Sequence, residues 1–192
     1  MKTPLLFLLS LACTVHCQPA APAPAPGSPE ANAGAQLVAL KAGDWQKFTA
    51  LMHSKSLTRF KDLLLPVAEA LAKADKPGIE RLRTALFADI PVERLKASTP
   101  EIFFERFMQN FARMTPGFVE GYKTTTVDFL GQVREGEALH LVVRYSRDIA
   151  GTKVSEVGVS SFEQENGEWK ALLSGELEQL LARLRAQYLP RQ

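Results

Sequence analysis

Cysteine is nearly missing from this chain: Cys13 and Cys17 are its only two, and both stand close to the N-terminus. Everything after Cys17 therefore has no disulfide framework, no thiol nucleophile and no cysteine-based metal site. Histidine is almost as scarce, with three residues in the chain. The two beyond Cys17, His53 and His140, have no His-x-x-x-His spacing that would hold a metal. Charge of one sign is not in excess either, because 23 basic and 21 acidic side chains give a formal net charge of +2. That balance leaves no electrostatic footprint for nucleic acid. The glycine patterns of phosphate loops and dinucleotide folds are absent, and Gly158-Val159-Ser160-Ser161 lacks the glycine pair of a nucleophile elbow. No residue set calls for a cofactor. Long apolar runs are missing as well. Leu63 to Ala72 is interrupted by Pro66 and Glu69, whereas a membrane span needs about 20 apolar residues.

What is present begins with a leader. Met1-Lys2 gives a positive start, Leu5 to Ala12 is an apolar or small run, and a small-residue and cysteine stretch follows, the order of a bacterial-type secretory signal over residues 1–17. Three cleavage readings compete. Ser10-Leu11-Ala12-Cys13 resembles a permissive lipobox, which makes Cys13 the lipid-attachment residue, although leucine stands second rather than third before the cysteine. Cys17 is the second candidate, preceded by the bulky, ionisable His16. In the third reading an ordinary signal peptidase cuts after Cys17 or near Ala20, and the protein is secreted without a lipid. The lipoprotein reading is carried forward, with a periplasmic or outer-membrane-anchored location.

Residues 18–35 are rich in proline and alanine, with Pro19, Pro22, Pro24, Pro26 and Pro29 spaced among alanines and Gly27, Ser28 and Gly34 after them. Such composition buries little apolar area and reads as a disordered linker. Residues 36–192 are long enough for one domain with one core. Its first half has helical periodicity: Trp45, Phe48, Leu51 and Met52 behind an Asp44 cap; Leu57, Phe60, Leu64, Val67 and Leu71 with Pro66 expected to kink or break the stripe; and a short helix opened by Pro77. Ile90 to Lys96 adds a turn. Thr99-Pro100-Glu101 then starts a helix that buries Phe103, Phe104, Phe107, Met108, Phe111 and Met114.

After Thr115-Pro116-Gly117 the period becomes two. Val127, Phe129 and Val133 alternate with polar residues, as do Leu139, Leu141, Val143 and Tyr145; a third strand runs from Lys153 to Phe162, and Asn166-Gly167 turns it into a fourth, Trp169 to Leu173. Ser174 caps a last helix bearing Leu177, Leu180, Leu181, Leu184 and Tyr188. The fold class is α+β: N-terminal helices, a four-stranded antiparallel meander and a C-terminal helix.

Leu40-Lys41-Ala42-Gly43-Asp44-Trp45, with Phe48 and Leu51, resembles the opening helix of the nuclear transport factor two-like superfamily, and Glu165-Asn166-Gly167-Glu168-Trp169-Lys170 resembles its closing hairpin. The resemblance implies a cone in which a curved sheet wraps against helices, a shape used by isomerases, cyclases, dehydratases and non-catalytic pocket or scaffold modules. The long helical block before the sheet and the helix after it depart from that pattern.

Few residues suggest chemistry. His53 ends the first amphipathic helix, where a histidine suits the negative helix end. Asp128, His140 and Arg144 share one face of adjacent strands and would serve general acid/base work under a covering pocket. The alternation, however, puts them on the row that faces water, opposite the row of Val127, Phe129, Leu139, Leu141, Val143 and Tyr145. Glu156 shares a row with Val154, Gly158 and Phe162 and is a further candidate carboxylate. The Phe and Met stripe of residues 103–114 reads as core rather than a ligand groove, and Arg183, Arg185 and Arg191 as cations near a helix end. These observations favour an exported, non-catalytic module that binds a small apolar ligand or an envelope protein, and a membrane through a lipid if Cys13 is acylated. The alternative is a cone-fold enzyme of isomerase or dehydratase type, acting through Asp128 and His140 or through Glu156.

Overall fold

The structure, a computed structural model, describes residues 24–74, 79–88, 90–115, 117–149 and 151–189. Cys13, Cys17 and the leader around them lie outside these residues, as does Pro77.

The first helix, α1, spans Pro29–Ala42 and begins earlier than composition suggests. The side chain of Ser28 accepts the Ala31 N–H at 3.1 Å, Pro29 opens the helix, and Glu30 lies in its first turn. A serine cap, an N-terminal proline and an acid against the positive helix end each favour a start here. Residues 29–35, expected in the linker, are therefore part of a helix. Gly43, in the left-handed region at φ 65°, stops the helix.

Asp44 then caps α2 (Trp45–Ala50) by accepting the Lys47 N–H. The long helix α3 (Ser54–Lys73) passes through Pro66 without ending there, because its apolar stripe holds both halves in the core: Leu57, Phe60, Leu64, Val67 and Leu71 are all buried. Two shorter helices, α4 (Ile79–Phe87) and α5 (Val92–Ala97), lead to α6 (Pro100–Met114), capped by Thr99 as its sequence requires. A short helix that periodicity did not reveal, α7 (Phe118–Lys123), follows Gly117 at φ 85°. Phe118 packs edge-on against Phe111, ring centroids 5.0 Å apart. Met114, expected in the core, is exposed in the last turn of α6.

The sheet is the expected meander, in the order β1 (Thr126–Glu135), β2 (Ala138–Ile149), β3 (Thr152–Glu165) and β4 (Glu168–Ala171), all neighbours antiparallel. A bulge interrupts β1 between Phe129 and Gly131. Asn166 and Gly167 both take positive φ, 53° and 81°, the geometry of a tight hairpin turn that matches strand twist. Helix α8 (Gly175–Tyr188) closes the chain behind its Ser174 cap.

The core lies between the inner sheet face and the helices. Leu139, Leu141 and Val143 of β2 and Phe162 of β3 are buried against Phe103, Phe104 and Phe107 of α6 and Phe60 of α3. Phe60 is 0% exposed, and its ring meets Phe104 at 4.9 Å and Phe107 at 5.0 Å in edge-on geometry. Val127, Phe129, Phe111 and Trp169 pack at the margin of this cluster. Among the described residues, no helix is long and apolar enough to cross a membrane.

The two stretches that resemble one superfamily meet in space. Ala171 N–H donates to Leu51 O at 3.0 Å and His53 N–H to Ala171 O at 2.8 Å, so residues 51–53 cover the free edge of β4. Asn32 of α1 is buried there, its amide donating to Leu51 O at 3.2 Å and to Trp169 O at 2.8 Å. The opposite edge, β1, has strand pairing on one side only.

Candidate functional site

Because side chains alternate along a strand, the register of β1, β2 and β3 assigns each residue to one of two faces. Val127, Phe129, Leu141, Val143 and Tyr145 take the inner face; Asp128, Val133, His140, Val142, Arg144, Val157, Val159 and Ser161 take the outer. The three candidates Asp128, His140 and Arg144 thus do share a face, and it is the outer one. Asp128 stands directly across from Arg144, while His140 lies opposite Val133 on one side and Ser161 on the other.

The structure gives His140 different neighbours from those expected. Its Nδ1 is hydrogen-bonded with Ser161 Oγ at 2.8 Å. Its Nε2 lies 3.4 Å from Glu135 Oε2 but without hydrogen-bond alignment, so the ion-pair distance overstates the contact. Serine, histidine and carboxylate in line are the ingredients of an activated nucleophile. The peptide groups around Ser161, however, run in the β2–β3–β4 ladder. They do not converge on one oxygen as stabilisation of an oxyanion requires. Glu135 is 85% exposed at its side chain, where water weakens its hold on the imidazole. The line holds His140 in the outer face with its Nε2 buried and, among the described residues, without a hydrogen-bond partner.

Glu156 is the other expected carboxylate. It occupies the inner row opposite Tyr145, yet near the end of the sheet, where it is exposed and its Oε2 lies 3.3 Å from Arg147 Nη2. Tyr145 O–H is hydrogen-bonded with Ser160 Oγ at 2.9 Å. Nearby, burial raises the pKa of the Tyr122 phenol, an effect opposed by the positive Arg147 and reinforced by Glu156 and Tyr145. The group is an ion pair beside two phenols at the sheet's rim.

His53 also departs from its expected role. It is the N-cap of α3, not the end of α2: its Nδ1 accepts the Lys55 N–H at 3.1 Å. The same helix start receives Glu165 from β3, whose carboxylate accepts the Ser54 hydroxyl and, at 3.4 Å, the Ser54 N–H. Those hydrogen bonds, chiefly the hydroxyl, hold the Glu165 carboxyl below its ordinary pKa against the opposing effect of burial, with His53 and Lys170 adding to the lowering. A tertiary carboxylate thus completes the helix terminus.

Between helices and inner sheet a cavity of about 190 Å³ remains, lined by Phe48, Met52, Phe104, Met108, Ser160 and Leu177 among others. Small-molecule sites run from about 300 to 1,000 Å³, so this gap is undersized for a ligand of that class. Among the described residues, no three His, Cys, Asp or Glu side chains gather into a group that could hold a metal.

The outer sheet face is different in kind. Val133 and Val157 are each 60% exposed and Val159 57%, with Val142 half-buried between them and Leu130 exposed at the bulge. Single exposed valines are ordinary, whereas a contiguous aliphatic surface with a polar rim marks a contact site. Sequence alternation missed it because Val142, Val157 and Val159 fall in the row of Asp128, His140 and Arg144, which reads as solvated, and because Val133, expected in the row of Val127 and Phe129, is turned outward by the bulge in β1. No family model, curated protein or solved structure matches this chain.

Proposed function

We propose that the chain is an exported, non-catalytic binding module, held to a membrane through Cys13, whose outer sheet face docks a protein of the cell envelope. The carrying observation is the aliphatic row of Val133, Val142, Val157 and Val159, of which Val133, Val157 and Val159 stay exposed on a face that, among the described residues, no helix covers. A sheet that buries one face on its helices normally presents polar side chains on the other; valines there gain stability only when something else removes them from water. The resemblance to the nuclear transport factor two-like superfamily fits a scaffold or pocket module, and the exposed valines of the outer face turn the choice toward a protein partner rather than a small apolar ligand.

The test places a photo-reactive side chain at Val159 in cells that make the protein natively. Irradiation is expected to yield a discrete adduct, lost when Val157 is replaced by lysine. Absence of any adduct at position 159, with the chain folded and correctly exported, would overturn the docking surface.

A further inference from the structure

The geometry points to a binding site for a small dicarboxylate in the cleft between α6 and the end of α4, held through Arg106 and Arg113. The cleft shares no residue with the outer sheet face, so this site and the docking surface stand or fall separately.

The periodicity of α6 decides where the cleft forms. Phe103, Phe104, Phe107 and Asn110 turn inward and are buried, which leaves Arg106, Gln109 and Arg113 exposed on the adjoining flank. The end of α4 packs beside that flank, and an open cleft of about 330 Å³ remains between them, with Ala88 and Ile90 in its wall. That volume falls in the range of small-molecule sites, which the inner cavity does not reach.

The cleft carries positive charge. Among the described residues, neither guanidinium has a carboxylate within ion-pair distance. Glu105, the next acid along the helix, instead accepts the Gln109 amide at 2.9 Å. Arg113 is also held in place. Its Nη2 donates to Asn110 Oδ1 at 2.7 Å, and the Asn110 amide donates to Thr84 O at 2.9 Å, so a buried side chain anchored on α4 fixes the guanidinium at the edge of the cleft. Fixing a long cation before a ligand arrives removes part of the ordering cost of binding. The rest of the planar fork is left to meet a carboxylate through paired hydrogen bonds.

The opposite wall is apolar. Ala88 holds φ 53°, in the left-handed region, where a Cβ is disfavoured and helix ends ordinarily place glycine. With Ile90 it supplies an aliphatic surface that glycine would not. Positions 106 and 113 lie two helical turns apart, about 10 Å along the axis, so two anionic groups joined by a stem suit the pair better than one small oxyanion. An aliphatic dicarboxylate matches both features, with one carboxylate for each fork and its methylenes against Ala88 and Ile90. Nonanedioate spans about 10 Å when extended.

The test is an NMR titration of the purified full chain with nonanedioate, with butanedioate and inorganic phosphate as comparison probes. Arg106→Gln, Arg113→Gln and, as a control on α8, Arg183→Gln are the variants, and circular dichroism checks that each folds. Saturable shifts are expected at the amides of Ala88, Arg106 and Arg113, with both comparison probes binding more weakly. Replacing Arg106 or Arg113 should weaken nonanedioate roughly tenfold, the size of one charge-assisted contact, and Arg183→Gln should leave it unchanged. Absence of saturation by about 20 mM nonanedioate overturns the site, since weaker binding falls below any specific contact. Equal weakening by all three substitutions overturns it too, as a diffuse ionic effect. Phosphate that binds as tightly as nonanedioate and needs only one of the two arginines overturns the dicarboxylate.

Discussion

Phe60 shows how much one side chain carries in this fold. Its ring is fully buried and lies against Phe103, Phe104 and Phe107, so it joins α3 to α6 at the centre of the core. Truncation leaves a cavity among rings that cannot all collapse into it. Phe60→Ala should cost about 3 to 5 kcal/mol of unfolding free energy, read as a lower urea midpoint with unchanged slope. A loss below about 1 kcal/mol would mean that α3 and α6 do not meet there. The apolar members of this core were legible in the sequence because they repeat at three and four residues in α3 and α6 and at two in β2. His53 was not, since a histidine between two helices satisfies either the end of one or the start of the next, and only the bond from Lys55 N–H to Nδ1 decides. His140 was placed on the correct face, but its pairing with Ser161 depends on the β2–β3 register, which periodicity alone does not fix.

At the scale of elements, starts were read better than extents. Thr99-Pro100-Glu101 announced α6, and Ser28-Pro29-Glu30 announces α1 by the same chemistry; the alanine, glycine and proline content around it hid that second signal behind a linker composition. The helix α7 went unread because six residues offer less than two turns of periodicity. The junction of β3 with α3 gives a pH test. Glu165 has its folded pKa lowered by Ser54, so its contribution to stability is complete above the unfolded carboxylate value and is lost as pH falls through the folded one. Glu165→Gln should therefore destabilise by less than about 1 kcal/mol at pH 7, where solvent screens a surface-facing group. The difference from wild type should vanish in acid below the ordinary glutamate range. Thermal melts of both proteins at pH 7 and pH 3 check this; an equal gap at the two values would show that the carboxylate charge plays no part.

For the whole molecule, the helical start at Pro29 shortens the segment that would serve as a tether if Cys13 is acylated. Between Cys13 and Ser28 lie 14 residues, which reach at most about 50 Å when fully extended, so the domain stays near any surface to which Cys13 is acylated. Stable anchoring needs more than one acyl chain. Cys13→Ser should abolish fatty-acid labelling and move the protein to the soluble fraction or leave an uncleaved precursor, and Cys17→Ser should do neither; a mature N-terminus at Gln18 or later without lipid would remove the tether. The leader's chemistry carries only an expectation of location, whereas the aliphatic outer face came into view only once the register of three strands put the valines together. A last consequence concerns timing. The amide of Asn32 finds its acceptor on Trp169, 137 residues further along the chain. A polypeptide that emerges N-terminus first, from a ribosome or through a translocation channel, holds α1 without its final contact until the closing hairpin has also come out. The last strand to appear is thus the one that latches the first helix, and any chaperone guarding this chain has its amphipathic helices to shield until that moment.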